Sequence, residues 1–159
     1  MLQIFQYFKP RSADLVSSRL YDELTFYPEF ERDLGKCRDE LLIESPFITT
    51  RRTAMLLPTL QKLIKRGVRV TVNTRHPQEH DEYLRLEAEE NVALLQEFGV
   101  EVLYTGGHHR KLAILDRKVL WEGSLNILSQ NDSCEIMRRI DSAQLAGQMI
   151  RFVKVNKFS

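Results

Sequence analysis

The chain has 159 residues, which is the usual size of one domain with its own hydrophobic core. Apolar residues make up 43% of it and charged residues 28%, as in ordinary soluble globular proteins. The formal net charge of +1 excludes a uniformly basic surface, so any affinity for a polyanion must come from a local patch of positive side chains.

The cysteines and the first residues indicate a reduced, intracellular protein. Cys37 and Cys134 stand apart from any CxxC pair, so neither a zinc knuckle nor a disulfide framework is predicted. The N-terminus lacks the pattern of a secretory signal, and no stretch approaches the about 18 to 20 apolar residues that span a bilayer. We expect a cytoplasmic protein that has no membrane partner and forms one domain over residues 1–159.

Helical and strand patterns alternate through the first two thirds of the chain. In order, they predict an amphipathic helix after Pro28 at 26–39, a buried strand at 40–49, a helix at 53–67, a valine-rich strand at 68–74, an acidic helix at 80–99 and a strand at 100–105. Pro58 is tolerated in the early turns of its helix, and Gly67 and Gly99 end the second and third helices. The acidic helix is expected to direct these side chains to the core: Leu84, Ala88, Leu95 and Phe98.

Paired strands and a closing helix are predicted for the last third of the chain. The elements are strands at 109–115, 118–123 and 135–140, with a tight turn at Asp116-Arg117, and a helix at 141–155 capped by Asp141 or Ser142. Strand–helix alternation followed by hairpin-like strands favours an α/β fold with a mixed β-sheet flanked by helices.

The stretch GGHHRKLAILDRKVLWEGSLN at 106–126 concentrates the unusual chemistry of the chain. If the strand includes His109 and Lys111, their side chains share one face, while Leu112 points to the core. An imidazole beside an ammonium is suited to bind an anion. A lone His-x-Lys pair is common by chance, however, and then the histidine only caps a strand end and the lysine is solvated.

Further polar residues accompany this pair and favour the anion site. Gly123 permits close approach of the backbone, and Ser124 and Asn126 offer a hydroxyl and an amide to phosphate oxygens. Glu135, in the next predicted strand, is placed to fix the tautomer of an imidazole.

The sequence HRKLAILD resembles the H-x-K-x4-D signature of the phospholipase D superfamily, carried here by His109, Lys111 and Asp116. GSLN resembles the G-[SG]-x-N element that follows it in that family, and Glu135 resembles its downstream glutamate. His108 has no aspartate at the required offset, so we expect its replacement to leave most activity. With LLIESPFIT and RGVRVTVNTR, the resemblance covers residues 26–140 and extends to PLD-like domains found alone or attached to helicases and restriction-type nucleases.

The resemblance implies an α-β-α sandwich and a phosphodiesterase that forms a phosphohistidine. It makes His109 the nucleophile, with Lys111, Ser124 and Asn126 on the phosphate oxygens and Glu135 orienting the imidazole. Asp116 belongs to the same catalytic motif, but strict alternation puts it on the opposite face, so we expect it to act in support. Neither a cofactor nor a metal ion is implied.

A single copy of the motif occurs in the chain, whereas family members with two copies build one active site from both. We therefore expect a homodimer in which two copies of His109 face each other across a twofold axis. One imidazole must be neutral and attack phosphorus, while its twin is protonated and supplies the leaving group with a proton. Mutual repulsion near a neutral pKa favours that division.

The pattern HPQEH at 76–80 offers a competing zinc site of the H-x-x-E-H type. Such a site needs both histidines on one face of one helix. Pro77 instead favours the first helical position, which leaves His76 outside the helix as its cap. No third ligand follows at recognisable spacing, so we expect a helix start here.

The substrate is predicted from the resemblance and from the position of basic residues. We expect a nuclease that acts on DNA or RNA, DNA being favoured, with Arg51 and Arg52 contacting the substrate. Other basic residues could extend a phosphate track: Lys65, Arg66, Arg69, Arg75, Arg110, Arg117, Lys118, Arg138 and Arg139. Two alternatives are a phospholipase D or phosphatidyltransferase acting on lipid, and a non-catalytic nucleic-acid-binding module of a helicase or restriction system.

Overall fold

The computed structural model describes residues 16–155, with side chains as far as Val153. The strands are β1 Ser17–Asp22, β2 Glu40–Glu44, β3 Arg69–Thr74, β4 Glu101–Tyr104, β5 Leu112–Leu115, β6 Val119–Gly123 and β7 Ile136–Asp141. The α-helices are α1 Phe26–Lys36, α2 Thr50–Lys65, α3 Glu82–Glu97 and α4 Ala143–Val155, and a short 3-10 helix covers Pro77–Glu79.

The strands form one mixed sheet in the order β1-β7-β6-β5-β2-β3-β4. β2, β3 and β4 are parallel because α2 and α3 each return the chain to the end of the sheet where the preceding strand began. The other neighbouring strands are antiparallel. The apolar sides of α1, α2 and α3 pack on one face of the sheet. α4 packs on the other face, against Leu42, Ile114 and Leu120. The predicted mixed sheet flanked by helices is therefore confirmed.

Local turn chemistry agrees with the sequence at the hairpin and at the last helix. Asp116 and Arg117 have positive φ angles of 52° and 54°, as a tight two-residue turn between β5 and β6 requires. The amide of Leu145 donates to the Ser142 hydroxyl at 3.2 Å, which makes Ser142 rather than Asp141 the cap of α4.

Several predicted boundaries and one core residue were wrong. The strand predicted to reach residue 49 ends at Glu44, because Ser45 and Pro46 turn the chain into α2. Phe98 is exposed beyond the end of α3. β1 was not predicted at all, and it pairs with β7 at the sheet edge.

β5 begins three residues later than predicted. Its ladder begins at Leu112, so His109 and Lys111 lie in an irregular segment before the strand and strict alternation does not place them. Among the helices described, none combines the length and apolar character needed to cross a membrane.

Candidate active site

His109 and Lys111 meet directly in the segment that leads into β5. Lys111 Nζ lies 3.0 Å from His109 Nδ1 and donates to the His109 carbonyl oxygen at 2.8 Å. Because an ammonium can only donate, Nδ1 accepts in this contact, and the proton of the neutral ring is on Nε2. His109 and Lys111 thus meet as predicted, but through the direct contacts of the Lys111 ammonium and not through alternation along a strand.

Positive charge around His109 favours its neutral form. The neighbouring Lys111 ammonium lowers the pKa of His109 below 6.5, and partial burial, Arg75 and His108 act in the same direction. Partial burial also lowers the pKa of Lys111, an effect that the negative charge of Glu135 opposes. A neutral, exposed imidazole beside a cation can become a nucleophile for an anionic phosphodiester once its proton leaves Nε2.

An open groove of about 720 Å³ runs past this pair. Its polar lining comprises His109, Arg110, Lys111, Glu122, Ser124 and Arg138. Its apolar lining comprises Leu20, Leu112, Ile136, Met149 and Phe152, from β1, β5, β7 and α4. The groove therefore combines cationic and hydroxyl side chains, which suit an anion, with an apolar wall.

Gly123 places Ser124 at the groove because it allows β6 to approach β7 closely. A Cβ atom on Gly123 would lie 2.1 Å from the Ile136 carbonyl oxygen, so no side chain fits there. The Ser124 hydroxyl accepts from the Ile136 amide at 3.0 Å, and the Ser124 amide donates to the Ile136 carbonyl at 2.9 Å. Ser124 is thus held on the same groove as His109 and Lys111.

Asn126 and Glu135 are less directly connected to His109. Asn126 is half-buried, and its Oδ1 has no hydrogen-bond partner within residues 16–155. Glu135 accepts from the Ser133 hydroxyl at 3.0 Å, and no hydrogen bond from His109 to Glu135 occurs in the described part of the chain. The orienting contact expected for Glu135 is therefore not formed in this arrangement, although its charge acts on Lys111.

Asp116 lies at the far end of β5 from His109. Extended chain from Lys111 to Asp116 spans about 16 Å at roughly 3.3 Å per residue. The carboxylate accepts from the backbone amides of Arg38, Asp39 and Glu40 at 2.8–3.0 Å. Partial burial raises its pKa, but these hydrogen bonds outweigh burial and lower the pKa overall. These contacts are those of a residue that holds two parts of the backbone together, and they agree with the expectation that Asp116 acts in support.

Arg51 and Arg52 lie outside the lining of the groove. Arg51 Nη1 donates to Asn131 Oδ1 at 2.6 Å. Arg52 is buried, donates to the Gln130 carbonyl at 2.5 Å and stacks 4.1 Å above the Tyr27 ring. Arg52 therefore connects α2 to the loop after Ser124. The burial of its side chain does not fit the expected contact with a substrate.

The other basic residues divide between the groove and the remote end of the sheet. Arg110 and Arg138 line the groove, and Arg75 donates to the His108 carbonyl at 3.1 Å. Away from it, carboxylates or carbonyl oxygens bind Arg66, Arg69, Arg117 and Arg139. A continuous track through all of the predicted basic residues is thus not formed.

His108 and Glu44 are the residues that the sequence prediction missed. Both side chains are fully buried and hydrogen-bonded to each other directly beneath the His109 segment. The expectation that His108 is dispensable does not fit this environment. A signal was present, since Glu44 is a charged residue inside the apolar run LLIESPFI.

The HPQEH pattern begins a short helix, as predicted. The His76 ring accepts from the Gln78 amide at 3.2 Å, and Pro77 is the first residue of the 3-10 helix. In the described ranges, no group of three or more His, Cys, Asp or Glu residues could hold a metal ion.

Comparisons with known proteins agree with this geometry. The family model described as "Cardiolipin synthase, PLD-like domain" matches residues 30–155. No curated protein sequence matches significantly.

Solved structures share the fold at low sequence identity. The phospholipase D family member Nuc from Salmonella typhimurium is 15% identical, with a TM-score of 0.71 over 89% of this chain and 93% of that one. NucT from Helicobacter pylori is 17% identical, with a TM-score of 0.66 over 89% and 95%. Phosphatidylserine synthase from Haemophilus influenzae Rd KW20 is 16% identical, with a TM-score of 0.72 over 91% of this chain but only 39% of its own. The family model spans most of the sequence and includes His109, Lys111 and Ser124, and the chain therefore belongs to the PLD-like domain family.

Proposed function

We propose that the chain is a metal-independent phosphodiesterase that cleaves nucleic acid, DNA above all, through a phosphohistidine intermediate. The observation that carries the proposal is the placement of His109, Lys111 and Ser124 on one groove, with the pKa of His109 lowered by its cationic neighbour. Nucleophile, countercharge and a neutral phosphate ligand are thus within one small site.

The chemistry proceeds in two displacements at phosphorus. Nε2 of a neutral His109 forms a bond to phosphorus as the bond to the leaving oxygen breaks, and the leaving oxygen takes a proton from the His109 of a second copy. That second imidazole, now neutral, accepts a proton from water as the water oxygen displaces the first histidine. Both rings then return to their starting states.

The contact between Lys111 and Nδ1 sets a condition on the first step. Attack by Nε2 requires its proton to be absent, so the neutral ring must carry its proton on Nδ1 instead. A bound phosphate oxygen that attracts the Lys111 ammonium would free Nδ1 for that proton. Substrate binding therefore prepares the nucleophile in this proposal.

Two features support a shared site in a homodimer. The chain contains a single copy of the motif, so one groove supplies one histidine. Leu20, Ile136 and Phe152 are exposed on the wall of the groove, and a second copy facing it would cover them.

Nucleic acid is favoured as the substrate because Arg110 and Arg138 flank the pair on the groove. The same proposal includes a helicase or restriction subunit as a partner. A phospholipase D or phosphatidyltransferase activity is the second candidate, favoured by the apolar wall, which could contact an acyl chain, and by the likeness to phosphatidylserine synthase. A module that binds nucleic acid without cleaving it is the third.

One assay separates these candidates. Single- and double-stranded DNA, RNA and a short-chain phosphatidylcholine are incubated with the protein, with and without EDTA. We expect cleavage of DNA that survives EDTA, because His109 and Lys111 supply the nucleophile and the countercharge. An absolute magnesium requirement would contradict the mechanism, cleavage of lipid alone would select the second candidate, and binding without cleavage the third.

The covalent step is tested at the same time. Quenching a slow reaction in mild base should trap an acid-labile phosphoryl adduct on His109, and His109→Asn should abolish it. His76→Asn is the matched control, because His76 is exposed and caps a short helix away from the groove.

A further inference from the structure

A buried polar network lies beneath the segment that carries His109. The side chains of Glu44 and His108 are both 0% exposed and are hydrogen-bonded to each other. Asn73 Nδ2 donates to Glu44 Oε2 at 2.8 Å, and the Thr105 hydroxyl donates to Asn73 Oδ1 at 3.0 Å. The network joins the ends of β2, β3 and β4 to the chain just before β5.

This network begins where the sheet ladder ends. The pairing of β2 with β5 stops at Glu44 opposite Leu112, so residues 108–111 have no strand partner from β2. The Glu44 side chain continues the connection by reaching His108, four residues earlier than Leu112. The contact between Glu44 and His108 thus attaches residues 108–111 to β2, as backbone pairing attaches β5 to β2.

The backbone on either side of His109 is held by further hydrogen bonds from side chains and from the backbone. Arg75 Nε donates to the His108 carbonyl at 3.1 Å, and the His108 amide donates to the Thr105 carbonyl at 3.2 Å. Lys111 donates to the His109 carbonyl at 2.8 Å. With the His108 ring fixed inward, the exposed ring of His109 points to the groove instead.

Stability alone gives little reason for such a pair. Buried ionisable groups are costly to desolvate, and well-packed apolar residues of similar volume often stabilise a protein equally well or better. A carboxylate and an imidazole do, however, fix direction and distance through their hydrogen bond, which apolar contacts do not. Because His108 is next to His109 in the chain, a directional hydrogen bond at His108 can fix the position of the His109 backbone.

We propose that Glu44 and His108 form a positioning pair that holds the backbone of His109 so that its imidazole faces the groove. The inference rests on the proposed function, because positioning matters there for attack on phosphorus. It assigns a role to two residues that do not touch the substrate.

Kinetics of three variants test the pair, on whichever phosphodiester the wild type cleaves fastest. His108→Ala should lower kcat about 10- to 100-fold with KM nearly unchanged, as misplacement of a catalytic group does. His108→Gln should restore part of kcat, because its amide can reach the position of Nε2. Glu44→Gln combined with His108→Ala should lower kcat by less than the product of the two single effects, since the two residues share one contact, while Glu44 Oε2 also lies 3.8 Å from Arg110 Nε.

A buried carboxylate elsewhere provides the matched control. Asp33 accepts from Arg139 and from the Trp121 ring at 2.7–2.9 Å, away from the groove. Asp33→Asn should lower the melting temperature and leave kcat unchanged. If kcat of His108→Ala also stays unchanged, the positioning role is wrong.

A second readout does not depend on activity. Nitrogen-15 spectra of the His109 ring should show one tautomer, with the proton on Nε2, in the wild type and a mixture of tautomers in His108→Ala. Glu44→Gln, which keeps the shape of the side chain, serves if His108→Ala does not fold. Identical His109 ring spectra in wild type and variants overturn the inference. If the spectra of the variants differ from that of the wild type but the wild type cleaves no substrate, the proposed function is contradicted while the positioning of His109 by the pair still holds.

Discussion

The short contact between Lys111 and His109 couples the charge of one residue to the proton affinity of the other. A positive neighbour disfavours the protonated imidazole, so removing it must raise the pKa of His109. Lys111→Gln is therefore expected to raise that pKa towards the ordinary value, which an NMR titration of the His109 ring measures. The acidic limb of activity should move to higher pH in the same direction.

Lys118→Gln is the control for this prediction, since Lys118 is an exposed lysine at the other end of the β5–β6 hairpin. It should leave the pKa of His109 unchanged. Equal pKa values of His109 in wild type and Lys111→Gln would show that the contact is absent in solution.

Asp116 is predicted to contribute to stability and not to the chemical step. Asp116→Asn keeps a residue that tolerates the left-handed φ of 52° but removes the charge that accepts three backbone amides. We expect a loss of about 1–3 kcal/mol in the free energy of unfolding at neutral pH, measured by urea denaturation, with kcat retained.

The pH dependence of that loss follows from the lowered pKa of Asp116. A depressed folded-state pKa stabilises the protein above the unfolded pKa of about 3.9, and the stabilisation disappears as the pH falls through the folded value. The difference between wild type and Asp116→Asn should therefore shrink in acid. A variant that loses activity without losing stability would put Asp116 back in the catalytic step.

The close pairing of β6 and β7 holds Ser124 at the groove. Gly123→Ala would put a Cβ atom 2.1 Å from the Ile136 carbonyl oxygen, so the two strands must separate at Ser124. We expect a loss of about 1–3 kcal/mol in stability, measured by thermal and urea denaturation, together with reduced cleavage.

Gly35→Ala is the matched substitution in α1. A Cβ atom there meets no atom within 4 Å, and alanine is the better helix former by about 0.8–1 kcal/mol. Gly35→Ala should therefore keep or raise stability and leave cleavage unchanged. Similar behaviour of the two variants would mean that β6 and β7 do not approach as closely as described.

Two copies of the chain are predicted to build one site. Wild type and His109→Ala are mixed, allowed to exchange subunits and assayed. Heterodimers hold one imidazole where the mechanism needs two, so activity should fall as the square of the wild-type fraction. Sedimentation should report about twice the mass of one chain. An active monomer, or a linear mixing curve after proven exchange, would contradict the shared site.

Local patterns in the sequence predicted a large part of this protein. The resemblance of its motif to that of a known family identified His109, Lys111 and Ser124, which meet on the groove, and Asp116-Arg117 identified the hairpin turn. The turn prediction succeeds because turn dihedrals depend on residues a few positions apart, whereas strand alternation did not place His109 and Lys111.

Contacts between distant parts of the chain were decided only by the tertiary structure. Glu44 and His108 are 64 residues apart, and Arg52 and Gln130 are 78 apart. No local preference indicates which buried groups will meet across the sheet. For this reason the sequence predicted no role for His108 and predicted that Arg52 contacts the substrate. The start of β5 at Leu112 was decided in the same way, because a strand extends only as far as its neighbour β2 offers backbone partners. Local sequence therefore identified the residues that meet on the groove, and the packing of the sheet determined which buried residues hold them there.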